Sequence, residues 1–320
     1  MRSTIRRAAV ALVGAALLAL TACGQSAVEN PGQAQGGPSG TPGTLVFAAV
    51  PSEESTSLQQ SFQAVISLLE RETGATVQFQ NATDYAAVIE GMRAGKIDVA
   101  MFGPFSYVLA KNQDPGITPI ASIVKTKGAE PGYKSYGITK ADSGINDLAG
   151  YAGHTVCFVD PNSTSGYLYP TAGLMEAGVN PETGIKSTFA GGHDASALAV
   201  ASGQCDAGFA YDTMVDKQLI DSGQLKPGEL RVVWKSETIA GSPVGVASDV
   251  PAELRQKIAD TLVQKANVDY LAANGFCSAA DQCNVGEKGS WGYVPVDDSL
   301  YNGVRHVCDV TKAKSCTSLG

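Results

Sequence analysis

The segment Asp160-Pro161-Asn162-Ser163-Thr164-Ser165-Gly166 sets three hydroxyls in a row, and Gly191-Gly192-His193-Asp194 follows downstream. Hydroxyls on consecutive residues suit several oxygens of one anion better than they suit a single nucleophilic task. Cys157-Phe158-Val159-Asp160 reads as a strand end and the apolar run from Tyr167 to Met175 as a helix. The turn between them is therefore a helix start, whose first N–H groups have no intrahelical partner. Those N–H groups, the helix dipole and the hydroxyls of Ser163, Thr164 and Ser165 can together replace the water shell of a tetrahedral oxyanion. Ser and Thr also serve as plain helix caps. The turn becomes a binding site only if other groups converge on it, and His193 is the first candidate.

The elements around the turn alternate between strand and helix. Leu45 to Val50 is an apolar strand; Leu58, Phe62, Val65, Ile66 and Leu69 form one helical face; Thr76 to Phe79 is a second strand. Asp84 caps a helix carrying Tyr85, Val88, Ile89 and Met92, and Ile97 to Phe102 is a third strand. This is a βαβαβ unit, which implies a parallel sheet with ligand in the crevice beyond the strand ends. Tyr85, Ser106 and Tyr107 follow strand ends and are expected beside that crevice, with aromatic packing and capping as their competing roles. Alternation restarts after Tyr133-Lys134-Ser135-Tyr136 with strands near Thr155 to Val159, Ser187 to Phe189, Ala207 to Tyr211 and Arg231 to Trp234. Val244 to Ala247 follows, and a closing helix is expected from Pro251 to Ala273. The reading is a two-lobed α/β fold: lobe 1 over residues 44–135, lobe 2 over 136–241, and a return to lobe 1 over 242–320 with C-terminal helices. Two extended crossings join the lobes, and the ligand lies in the cleft between them, where hinge closure buries it.

The N-terminus places this fold outside the cytoplasm. Arg2, Arg6 and Arg7 precede the apolar run Ala8 to Leu20, which is too short for an ordinary transmembrane helix and ends in small residues. Residues 1–22 read as a secretory leader. Leu20-Thr21-Ala22-Cys23 resembles a bacterial lipobox, which implies cleavage before Cys23 and lipid on its sulfur. Residues 23–43 are rich in Gly, Pro, Ser, Gln and Ala and form a flexible tether. Once Cys23 is set aside, six of the seven cysteines remain, an even number that suits disulfides in an exported protein. Sequence proximity favours Cys277 with Cys283 and Cys308 with Cys316, leaving Cys157 with Cys205, although six cysteines allow fifteen pairings. Zinc is a poorer explanation, because neither local pair has the short ligand spacing and no His adjoins them. The formal charge of −8 falls to −11 when the leader's three arginines depart, since residues 1–22 carry no acid. Nucleic acid and acidic membrane surfaces are thereby poor partners, and the membrane is met only through the lipid anchor. An acidic chain that holds an anion must do so with local dipoles and donors.

Asp84-Tyr85, Gly95 to Ala100, Phe102-Gly103-Pro104, Pro131 to Ser135, Asp160 to Gly166 and Gly192-His193-Asp194 together resemble the phosphonate-binding family of periplasmic ABC-transporter receptors. The resemblance covers roughly residues 44–310. It implies a type II periplasmic-binding-protein fold and capture of phosphonate, phosphite or phosphate for a membrane permease, by a receptor acting as a monomer without cofactor or metal. It also implies oxyanion contacts at Ser163, Thr164, Ser165, His193, Tyr85 and Tyr133. Members that bind aminoalkylphosphonates are expected to face the ammonium with carboxylates. Here Tyr211-Asp212-Thr213 offers an acid one position displaced, the return crossing offers Ser242, and Glu53 stands at the first strand end. That pattern favours phosphite, phosphate or a small alkylphosphonate, with Asp212 and Glu53 as candidate acceptors. A receptor for another small oxyanion or metabolite is the alternative. Ser163 or Ser165 with His193 and Asp212 also supplies the residue types of a hydrolase triad, but no Gly-x-Ser-x-Gly elbow accompanies them. His154 and His306 read as structural.

Overall fold

Strand β1 (Thr44–Ala49) is apolar on both faces because it lies inside a sheet, between β2 (Thr76–Gln80) and β3 (Val99–Met101), parallel to both. The computed structural model describes residues 43–317. Helix α1 (Ser55–Thr73) connects β1 to β2 and turns Leu58, Phe62, Val65 and Leu69 inward at three- and four-residue spacing. The Glu54 carboxylate caps its start, and Gly74 ends it in the left-handed conformation at φ 75°. Helix α2 (Tyr85–Arg93), capped by Asp84, connects β2 to β3, and α3 (Pro104–Gln113) follows β3 with Pro104 in its first turn. β4 (Thr118–Val124) completes this part of the chain.

The chain then leaves through β5 (Gly132–Tyr133) into a second sheet. Its members are β6 (Ser135–Lys140), β7 (Thr155–Phe158), β8 (Lys186–Phe189), β9 (Ala207–Tyr211) and β10 (Leu230–Lys235), in the spatial order β10-β6-β9-β7-β8. Helix α4 (Tyr169–Glu176) and α5 (His193–Ser202) belong to this part, and separate apolar clusters pack about it, around Tyr136, Cys157 and Val200 and around Tyr151, Phe158 and Phe209. β11 (Ile239–Ala240) carries the chain back and pairs antiparallel with β5, Ile239 opposite Tyr133. The two crossings thus form one ribbon. β12 (Pro243–Val246) and β13 (Gly292–Val294) finish the first sheet, whose order is β13-β4-β12-β3-β1-β2.

Two expectations change. The first sheet is mixed, because β12 runs antiparallel to β3 and β4, and β13 antiparallel to β4; only its βαβαβ part is parallel. The closing helix over 251–273 is two helices, Ala252–Lys265 and Val268–Ala273. Asn267 breaks the run by adopting extended backbone (φ −135°, ψ 154°) and capping the second helix through the Tyr270 N–H at 3.0 Å. Disulfides join Cys157 to Cys205, Cys277 to Cys283 and Cys308 to Cys316, the pairing that proximity favoured. Cys23, the leader and all but the last residue of the tether lie outside the described residues.

Candidate ligand site

The helix start after β7 is wider than an α-helical turn. Leu168 N–H bonds to Ser163 O at 3.0 Å, and Tyr169 N–H bonds to Thr164 O, each spanning five residues before α4 takes over. The widened turn packs against β7, with Val159 N–H bonded to Gly166 O at 3.1 Å. Only glycine fits there: a Cβ on Gly166 would stand 2.4 Å from Val159 Cβ.

Two hydroxyls of the turn, those of Ser163 and Thr164, accept from backbone N–H groups. Ser163 Oγ accepts the Gly166 N–H at 3.1 Å, and Thr164 Oγ1 accepts the Phe105 N–H, from the first turn of α3, at 2.8 Å. An oxygen that already accepts from a backbone N–H has its own proton left to donate. Ser165 is fixed through its carbonyl, which accepts from Ser135 Oγ at 2.6 Å. The Tyr85 hydroxyl is paired with Ser163, and the Tyr133 hydroxyl with Ser165 and Thr164. Burial raises the pKa of both phenols, Asp160 adding to the shift at Tyr85, so both remain neutral O–H donors.

His193, the first residue of α5, completes this wall. Its Nδ1 accepts the Tyr211 N–H at 3.2 Å, and its ring lies edge-on against Tyr211 with centroids 4.7 Å apart. A neutral imidazole that accepts at Nδ1 carries its proton on Nε2. Nε2 lies 3.4 Å from Ser163 Oγ. Burial lowers the His193 pKa to about 3, so the ring is a neutral donor at physiological pH. This tautomer cannot take a proton from Ser163, and no carboxylate orients its other nitrogen. The arrangement fits donation to an anion and does not fit a triad base.

Ser163, Thr164, Ser165, His193, Tyr85 and Tyr133 all line one cavity of about 70 Å³. Glu53 and Ser242 line it too. By the measure that allots one water roughly 10–15 Å³, the space holds about five water-sized positions. The parts of the site come from both sheets, and direct bonds tie those parts together: His193 N–H to Ser52 O at 2.8 Å, Tyr85 N–H to Asp160 Oδ2 at 3.4 Å and Glu54 N–H to Asp194 Oδ2 at 3.0 Å.

Three expected contacts lie elsewhere. Tyr107 is fully buried and donates to Asp298 Oδ1 at 2.7 Å, packing on Tyr301 with ring centroids 4.8 Å apart. Ser106 Oγ turns back onto Gly103 O at 2.9 Å as a first-turn helix contact. Asp212 is engaged on both oxygens, by Lys125 Nζ (2.7 Å) and Lys134 N–H (3.2 Å) on Oδ2 and by Thr213 N–H (2.8 Å) on Oδ1. None of the three lines the cavity.

Residues not anticipated face the turn's donors from another part of the wall. Lys125 follows β4, and Glu287 and Ser290 lie in the loop before β13; all three line the cavity. Gly286, at φ 105° with the Phe62 ring where a Cβ would be, brings Glu287 in. Burial raises the Glu287 pKa to about 7 against the opposing pull of Lys125. Glu53 is also raised to about 7, by burial first, with a hydrogen bond from Ser57 opposing. No sequence periodicity marks these positions.

Comparison with known proteins decides the family. The sequence model described as "ABC transporter, phosphonate, periplasmic substrate-binding protein" matches residues 47–301. The chain belongs to that family. Among its relatives, "Phosphate-import protein PhnD" of Mycolicibacterium smegmatis is 48% identical over 310 residues, covering 94% of this chain and 96% of that protein. "Phosphonates-binding periplasmic protein" of Escherichia coli is 34% identical, over 74% of this chain and 72% of its own length. The crystal structure of a binding protein component of an ABC phosphonate transporter from Pseudomonas aeruginosa superposes with a TM-score of 0.74 at 27% identity, covering 85% of this chain and 87% of that one. Members of this phosphonate-receptor family are transport binding proteins and work outside the cytoplasm, so the cavity described above is that of an extracytoplasmic type II binding fold.

Proposed function

We propose that this receptor captures a phosphorus oxyanion (phosphonate, phosphite or phosphate) in the cavity lined by Ser163, Thr164, Ser165, His193, Tyr85 and Tyr133 and delivers it to an ABC-transporter permease. The observation that carries the reading is the donor set. Three hydroxyls at one helix start, two neutral phenols and a neutral imidazole Nε2–H converge on a cavity sized for a small tetrahedral ion. Neutral donors and backbone dipoles hold an anion in an acidic protein without relying on net charge. The relatives named for phosphate import and for phosphonate binding support the same ligand class.

Capture proceeds by closure. Residues 44–135 and 242–320 act as one lobe and 136–241 as the other, the paired crossings β5 and β11 serving as the hinge. Tyr85 from the first lobe and Ser163 from the second meet in the closed arrangement, so a ligand touching both favours that state by its differential affinity. Cys23 carries the lipid that holds the receptor at the outer face of the membrane, with residues 23–43 as its tether. Metabolic lipid labelling of the Cys23→Ser variant should disappear and the protein should leave the membrane fraction; undiminished labelling would refute the anchor. For the ligand, calorimetric titration should show saturable binding of a phosphorus oxyanion and no product release from a chromogenic phosphate ester. Turnover of that ester, or no binding across the phosphorus series, would refute the receptor reading.

A further inference from the structure

The cavity wall formed by Lys125, Glu287 and Ser290 holds polar atoms that the protein leaves unanswered. Glu287 Oε1 and Ser290 Oγ are both buried without a hydrogen-bond partner among the described residues, while Thr213 hydrogen-bonds to the Glu287 carboxyl. Ser290 as a whole is only 4% exposed. A buried polar atom without a partner is strongly unfavourable unless something else satisfies it. Both residues line the cavity, which places them beside its occupant.

The charge at this wall is already balanced from within the chain. Lys125 Nζ sits 2.7 Å from Asp212 Oδ2 and its charge also acts on the Glu287 carboxyl. An ammonium brought in by a ligand would find the carboxylates neutralised and would meet Lys125 as a like charge. A methyl group would bury the two unpartnered oxygens against carbon. A P–OH group, in contrast, offers a donor to Glu287 Oε1 and an acceptor to the Ser290 hydroxyl. The wall is close to the oxyanion donors. Tyr133, paired with Ser165 and Thr164, feels the Glu287 charge, and all of these residues but the Asp212 partner of Lys125 line the one cavity.

We infer that Lys125, Glu287 and Ser290 form a specificity subsite that takes the hydroxyl-bearing fourth oxygen of inorganic phosphate and rejects an alkyl or aminoalkyl group at that corner. This rests on the receptor function proposed above. Glu287 and Ser290 make the contact; Lys125 is the built-in cation that closes the corner to an amine.

The test is calorimetric titration of the full receptor with inorganic phosphate, methylphosphonate and 2-aminoethylphosphonate, each measured for wild type, Ser290→Ala, Glu287→Gln and Lys125→Met. Leaving one buried polar group unpaired amounts to about tenfold to a hundredfold in affinity. Wild type should therefore prefer phosphate over methylphosphonate by at least about tenfold, on the same reasoning. Ser290→Ala should narrow that ratio by raising methylphosphonate affinity relative to phosphate. Lys125→Met should improve 2-aminoethylphosphonate relative to methylphosphonate, because the like charge that opposes its ammonium is removed. Ratios cancel any general loss from misfolding, and Glu287→Gln, close in shape, checks the same corner with its charge removed. Methylphosphonate equal to phosphate in wild type, or ratios unchanged in all three variants, would overturn the subsite while leaving the receptor function standing. A wild type that binds none of the three compounds would overturn the function and the subsite together.

Discussion

Ser163, Thr164 and Ser165 reach the cavity from a single turn, whereas Lys125, Glu287 and Ser290 reach it from the end of β4 and a loop far along the chain. The turn's donors are neutral and positioned by backbone geometry: a widened helix start, a glycine contact with Val159, and N–H groups that engage the hydroxyl lone pairs. The second wall consists of charges that constrain one another, with Lys125 bound to Asp212 and Glu287 pushed toward neutrality by burial. The difference teaches a division of labour. In the proposed function one wall supplies affinity for a tetrahedral oxyanion, and in the inferred subsite the other decides what its remaining corner carries.

The largest effect should come from breaking the turn. Gly166→Ala would force a Cβ against Val159, and overpacking of this kind destabilises a core by about 1–3 kcal/mol. Because the displaced turn is the anion's cradle, phosphate binding should fall below calorimetric detection. Unaltered binding in a folded Gly166→Ala protein would remove the turn from the site.

His193 comes next. Loss of its donor in His193→Ala should weaken phosphate by about tenfold to a hundredfold. Its ring should also stay neutral through the physiological range. A folded-state pKa of about 3, below the ordinary 6.5, means that protons bind the unfolded chain first, so this residue's contribution to stability is present above pH 6.5 and is lost as pH falls toward 3. Imidazole NMR signals of His193 should accordingly be flat from pH 8 to pH 5; a titration near 6.5 would show a solvated, chargeable ring instead.

The Cys157–Cys205 bridge ties β7, which leads into the turn, to the segment after α5. Replacing both cysteines with serine should lower stability by about 2–4 kcal/mol, measured by chemical denaturation. Binding should survive in the folded fraction, because neither cysteine lines the cavity. A loss of affinity without a loss of stability would mean that the bridge shapes the turn directly.

The smallest effect concerns the second wall. Glu287 has a folded pKa of about 7 against an ordinary 4.5, so its contribution is fully present below pH 4.5 and is lost as pH rises through 7. Glu287→Gln should raise the melting temperature by a few degrees more at pH 8 than at pH 5, following the usual size scaling. An equal change at both pH values would place the carboxyl in solvent.

What could be read in the sequence follows the same division. The turn, the α2 cap at Asp84 and the strand–helix alternation are local patterns, and the structure places Ser163, Thr164, Ser165, Tyr85 and His193 around one cavity. Tyr107 and Ser106 occupy expected positions after a strand end, but their side chains are taken by Asp298 and Gly103. Position after a strand does not decide where a side chain points. Asp212 was the natural acceptor candidate, and Lys125 captures it from the far end of another sheet. Glu287 enters only because Gly286 takes a left-handed conformation against Phe62. Such long-range pairings leave no periodic trace, and the break at Asn267 was likewise hidden in an apolar run that reads as one helix.

On the proposed function, neutral donors on one wall and unpartnered polar atoms on the other select an oxyanion that still carries a proton. Calorimetric titration of the wild-type receptor with phosphate and with sulfate at pH 8, above the raised pKa of about 7 of both Glu287 and Glu53, tests it most directly. Sulfate is fully ionised and has no proton to offer Glu287 or Glu53, so it should bind at least about a hundredfold more weakly than phosphate, the consequence of an unanswered buried acceptor. Equal affinities for the two ions would contradict the account.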